Sequence, residues 1–142
     1  MKRHQDLINL SREHHQSLRL AKKCIDTAAT ENPGKCAELC REIISIFDDE
    51  WDRHFRNEEA TIFDLTANMD GRIHDLGMQL VEEHNQMRDM ARVMGEGDHG
   101  CDILARFGVL LRDHTRLEER ELFPLVEQTF SREQLEQIRK QT

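Results

Sequence analysis

The sequence predicts an all-α protein, an up-down-up-down four-helix bundle with a short fifth helix at its C-terminus. Three observations carry that reading. Only 2 Pro and 7 Gly occur over 142 residues, so helix can run almost unbroken. Most of those breakers gather in three places and leave four segments of about 25 to 30 residues, the length of a bundle helix. Within each segment the apolar residues recur at steps of three and four, the spacing of one buried helix face.

The first helix is expected near 5–30, with Leu7, Leu10, His14, Leu18, Ala21 and Ile25 on its inner face. Asn32-Pro33-Gly34 is a turn, and Asn32 or Glu31 lies close to the start of a second helix near 35–66. Asn68-Met69-Asp70-Gly71 closes that helix. A third is expected near 72–94, with Ile73, Gly77, Leu80, His84, Met87, Ala91 and Met94 facing inward. The run from Gly95 to Gly100 separates it from a fourth near 101–128. Ser131 and Gln134 have the spacing of a capping box and mark the short fifth helix. Short connections imply antiparallel neighbours. Residues 1–142 are read as one domain.

Helices two and four are an internal repeat. Ile44, Phe47, Trp51, His54, Glu58, Ile62 and Leu65 reappear, 60 positions on, as Leu104, Phe107, Leu111, His114, Glu118, Leu122 and Leu125. In both copies a His, and a Glu one turn later, interrupt an apolar stripe. Helices one and three each add a mid-helix His to the same face. Burying so many ionisable groups in one small core is costly unless they satisfy one another or bind an ion. At i,i+4 spacing a His and a Glu project from one face and reach the same or adjacent ions. Four imidazoles and two carboxylates without thiolate suit iron, manganese or zinc. The set is too large for one tetrahedral zinc and suits two ions bridged by both carboxylates, roughly 3.5–4 Å apart.

Composition excludes other classes. A net charge of −8 argues against nucleic-acid and anionic-membrane partners. No apolar run approaches the ~20 residues of a membrane span, and Met1 to Leu10 lacks a signal-peptide core. A cytoplasmic location is the default expectation. Cys24, Cys36, Cys40 and Cys101 contain no Cys-x-x-Cys pair and, in a reducing cytosol, read as small buried thiols.

The stretches Arg53-His54-Phe55-Arg56-Asn57-Glu58-Glu59, Glu82-Glu83-His84 and His114-Thr115-Arg116-Leu117-Glu118-Glu119-Arg120-Glu121-Leu122-Phe123-Pro124, with the opening Glu13-His14-His15, resemble a hemerythrin-like (HHE cation-binding) domain over nearly the whole chain. The resemblance implies a four-helix bundle with a non-haem diiron centre. The metal candidates are therefore His14, His15, His54, Glu58, His84, His114 and Glu118, holding two iron ions, with manganese or zinc as alternatives. On the first helix the apolar stripe centres on His14, whereas the family's usual spacing to a large apolar residue selects His15 with Leu18; both stay open. The family's oxygen carriers have a second His on helix three where this chain has Leu80, and an Asp five residues after the last His; here the second carboxylate is Glu118. The set looks like the branch containing bacterial iron-centre repair proteins and an iron-sensing ubiquitin-ligase domain, so simple reversible O2 storage is not expected.

The implied function is handling or sensing O2, NO, peroxide or iron, with a small diatomic ligand or peroxide as partner. A metal-responsive interaction module signalling to a separate protein is the alternative. A ferritin-like oxidase ranks last, because its Glu-x-x-His pairs are absent from the inward positions. Of the remaining residues, His4, His74, His99, Glu59, Glu119 and Glu121 read as surface groups. Glu50 and Asp113 also read as solvated charges, with orientation of His54 or His114 as the competing role. Phe63, Phe123 and methionines of helix three are expected to pack around the site and limit water.

Overall fold

A computed structural model of the chain describes residues 3–142. Helix α1 spans Ile8–Ala29 and is entered through a 3-10 turn at Gln5–Leu7. Helix α2 covers 33–66, α3 is Arg72–Gly95, α4 covers 101–129 and α5 is Arg132–Gln141. The expected turns stop the helices where they were placed. Asn32 caps α2 by accepting from the Lys35 N–H, with Pro33 in the first turn. Gly71 enters α3 at φ +78, a conformation that favours glycine. Ser131 and Gln134 form the reciprocal capping box of α5.

The four long helices form a ring in which α1 packs on α2 and α4, and α3 on the same two. The closest approach is between α1 and α4. A Cβ at Gly108 would lie 2.8 Å from the Cys24 Cβ and 3.0 Å from the Ala21 carbonyl oxygen, so glycine permits this contact. Helices α2 and α4 are not uniform. Wider π-turns occur at Phe47–Asp52 and Glu59–Phe63 in α2, and at Glu118–Leu122 in α4. Such a turn changes the angular phase of everything after it.

The core has two apolar ends and a polar waist. One end gathers Ala21, Cys24, Ile43, Phe47, Met87 and Phe107 among others. The other gathers Leu7, Leu10, Ile62, Leu76, Leu80 and Leu122. Helix α5 closes this second end by burying Leu135 and Ile138 against it. Between the two ends lie His14, His54, Glu58, His84, His114 and Glu118, each no more than 3% exposed.

One expectation is corrected. Cys36 and Cys101 form a disulfide that joins the N-terminal ends of α2 and α4, with Cα atoms 5.2 Å apart. The two residues are 65 apart in sequence, and only the antiparallel ring brings them to bonding distance. Cys24 and Cys40 are free and buried, as expected. The reducing surroundings assumed for four thiols lose their support with the disulfide. No described helix is long and apolar enough to cross a membrane.

Candidate metal centre

Each of the four helices sends one imidazole into the waist, and α2 and α4 each add a carboxylate one turn later. The ligand-capable atoms fall into two sets, each gathered within 4.8 Å. His14, His54, Glu58 and Glu118 make one set; Glu58, His84, His114 and Glu118 make the other. Both glutamates belong to both sets. Glu58 Oε1 lies 3.2 Å from His54 Nε2 and 3.3 Å from His84 Nε2. The carboxylate of Glu118 reaches to 2.9 Å from His14 Nε2 and also contacts His114 Nε2.

Despite these contacts, both oxygens of Glu58, both of Glu118, and the Nε2 atoms of His84 and His114 lack a hydrogen-bond partner although fully buried. Orphaned polar atoms of this kind are rare, because each costs its lost hydration. Six of them converging on one layer fit a pair of cations: every orphan is a potential ligand atom, and among the described residues no thiolate, Lys or Arg joins the two sets.

The outward side of each imidazole is also specified. His14 Nδ1 meets Glu119 at 2.7 Å, His54 Nδ1 meets Glu13 at 2.7 Å, His84 Nδ1 meets Glu59 at 2.8 Å, and His114 Nδ1 meets Glu83 at 2.8 Å. An ionised carboxylate can only accept, so Nδ1 carries a proton and it is Nε2 that is turned into the waist. The pairs run round the bundle in one sense, α1 to α4, α4 to α3, α3 to α2 and α2 to α1. Each outer glutamate sits beside an inner residue in sequence: Glu13 by His14, Glu59 by Glu58, Glu83 by His84, Glu119 by Glu118.

Charge is strongly redistributed among these groups. Burial alone would lower the His14 pKa, but Glu118, Glu119 and Glu58 raise it well above the usual imidazole value. His84 is likewise raised against burial by Glu118, Glu58 and Glu59. His54, opposed by burial and favoured by Glu58 and Glu13, rises to about 9. Glu58 is held well below the carboxylate range, against burial, chiefly by His54.

Aromatic rings wall the layer. Phe55 stacks on His84 with centroids 4.2 Å apart, and Phe123 stacks on His14 at 5.3 Å. Phe63 meets His84 edge-on at 5.6 Å. Met87 and Met94 are buried on the neighbouring apolar end, whereas Met78 is exposed.

The sequence-based candidates divide clearly. His14, His54, Glu58, His84, His114 and Glu118 come together. His15 does not: it is exposed on the outer face of α1, because one residue along a helix turns a side chain by about 100°. Glu59 and Glu119, expected as surface charges, instead hold His84 and His14. Glu50 and Asp113 are exposed, and the Asp113 carboxylate accepts from Arg112. Glu13 and Glu83 were missed altogether. Their one sequence signal is an acidic residue directly beside an inward ligand-type residue on every helix.

The sequence model of one family, the hemerythrin HHE cation-binding domain, matches residues 6–126. Nothing among curated proteins or solved structures matches the chain.

Proposed function

The chain belongs to the hemerythrin HHE cation-binding family, and from that footing we propose that its waist holds two iron ions and handles or senses O2, NO or peroxide. The observation that carries this reading is the sharing of Glu58 and Glu118 between two His-paired sets. His14 and His54 would hold one ion, His84 and His114 the other, with both glutamates bridging. Two adjacent iron ions would supply redox chemistry and coordination positions for a small exogenous ligand.

The protein's own contribution is preorganisation and shielding. Glu13, Glu59, Glu83 and Glu119 fix each imidazole in the tautomer that offers Nε2 inward. The apolar ends and the rings of Phe55, Phe63 and Phe123 keep bulk water from the layer. Leu80, fully buried one turn before His84, occupies a position where a further nitrogen ligand would otherwise stand. The protein therefore offers four side chains per ion, two of them shared, which leaves room for an exogenous ligand.

Anaerobic loading with Fe(II), metal analysis and optical spectra on adding O2, NO or peroxide test the proposal. Two iron ions per chain and new charge-transfer bands are expected. One ion per chain overturns the bridged pair; unchanged spectra with all three ligands overturn the ligand chemistry.

A further inference from the structure

Among the four outer glutamates, one is held unlike the rest. Apart from its imidazole, Glu83 receives only the Gln79 amide among the described residues, at 3.0 Å. Glu13 has Arg53 no closer than 3.9 Å. Glu119 accepts from Ser11 at 2.8 Å and, more loosely, from Arg3 at 3.3 Å. On Glu59, in contrast, both carboxylate oxygens are gripped by one guanidinium: Arg88 Nη1 donates to Oε2 and Nη2 to Oε1, each at 2.9 Å. The fork matches a carboxylate in a way that a lysine cannot reproduce.

Arg88 does more than pair with Glu59. It lies on α3 one turn after His84, and its Nε donates to Asp52. Asp52 is the last residue of the first π-turn of α2, and Glu59 the first residue of the second. Arg88 thus ties α3 to both ends of the turn Arg53–Glu58, which bears His54 and Glu58. Its guanidinium also lies 5.8 Å from the centroid of Phe55, the ring stacked on His84. Two routes to His84, through Glu59 at Nδ1 and through Phe55 on the ring face, converge on one side chain.

We infer that Arg88 is a positioning residue for the metal centre, holding His84 through Glu59 so that its Nε2 meets the second ion in one orientation. The need is local: among the described residues His84 is the one member of the two ligand sets that α3 contributes, with Leu80 in the preceding turn. The inference rests on the two-ion reading above.

Cobalt(II) is the probe, titrated anaerobically into the metal-free full chain and followed by its visible d–d bands. Wild type should bind two ions. Arg88→Gln should weaken one of the two by roughly 10- to 100-fold and alter that ion's bands. Arg88→Lys, which keeps the charge but not the fork, should fall between. Glu59→Gln should resemble Arg88→Gln, and the double variant should be no weaker than Glu59→Gln alone, since the guanidinium acts through that carboxylate. Two ions bound by Arg88→Gln with wild-type affinities and bands overturn the inference while leaving the two-ion reading intact. Independent, additive losses in the double variant, or equal weakening of both ions with a lower metal-free melting temperature, overturn it as well. Fewer than two ions in wild type overturn the two-ion reading and the inference together.

Discussion

Each buried imidazole has two nitrogens, and this core gives them opposite duties. Nδ1 donates outward to a glutamate of a neighbouring helix, and Nε2 faces the shared carboxylates. The inner and outer glutamates should therefore answer differently to substitution. Glu58→Ala or Glu118→Ala removes a base common to both sets, so metal analysis should show both ions lost. Glu119→Gln and Glu83→Gln keep a hydrogen-bond acceptor but not its charge, and should lower affinity by about 10-fold while retaining two ions. Equal and complete loss at all four positions would contradict this division. Five of the inner six were legible in the sequence: two His-Glu pairs at i,i+4 spacing and the single His84 each broke an apolar stripe, while the first helix left His14 and His15 open. The outer four were not. Each is partly exposed and would pass for a solvated charge; which neighbour it meets depends on helix rotation and on the order of helices round the ring. The choice between His14 and His15 had the same cause, two sequence cues differing by one residue.

At the scale of elements, α2 and α4 show how a repeat in sequence becomes a repeat in space. The residue-by-residue burial pattern over 51–60 is the same as over 111–120. Both copies place a π-turn at their shared glutamate, Glu59–Phe63 directly after Glu58 and Glu118–Leu122 starting at Glu118 itself. Steps of three and four residues are compatible with a plain α-helix, so nothing in the periodicity announced the wider turns. They belong to the packing of the waist, where six polar side chains must converge. The α1–α4 contact makes a sharper demand. Gly108→Ala places a methyl against the Cys24 side chain and the Ala21 carbonyl, and α1 must move away. A loss of about 1–3 kcal/mol is expected from denaturant unfolding. Gly95→Ala is the control: nothing lies within 4 Å of its Cβ, and the change should be neutral or slightly stabilising. Similar losses at both sites would mean that helix packing is not what Gly108 serves.

For the whole molecule, two constraints hold a core split by charge. The first is covalent. The Cys36–Cys101 bridge closes 65 residues of sequence, and in the chain-entropy picture a loop of that order is worth about 4 kcal/mol. Alkylation of the denatured, unreduced chain should label the two free cysteines, Cys24 and Cys40; labelling of all four would mean that no bridge forms. This bridge was invisible in the sequence because Cys36 pairs with neither its helical neighbour Cys40 nor any residue at a motif spacing.

The second constraint is the charge of the waist, which makes pH and metal act in opposition. His14, His54 and His84 have raised pKa values in the folded chain, His54 reaching about 9. Folding then takes up protons, so their contribution is fully present below the ordinary imidazole value of 6.5 and is lost as pH rises through the folded values. Glu13, Glu58, Glu59 and Glu119 are lowered, so theirs is present above the ordinary value of 4.5 and is lost as pH falls through the depressed ones. Without metal, the chain should be most stable between those two ordinary values and should melt progressively lower from pH 6.5 to 9. Metal reverses the trend. Binding at Nε2 requires neutral imidazoles, so each ion must displace protons that the empty waist holds tightly, and less work is needed as pH rises. An ion that binds the folded chain alone raises its melting temperature by mass action. The increment given by stoichiometric Zn(II) should therefore be small near pH 6 and grow toward pH 9, over the range in which the metal-free protein weakens. Melting curves with and without zinc at fixed ionic strength measure both slopes. A metal-free melting temperature that stays level from pH 6.5 to 9, or a zinc increment that shrinks over that range, would show that the four imidazoles do not share the waist with the metal.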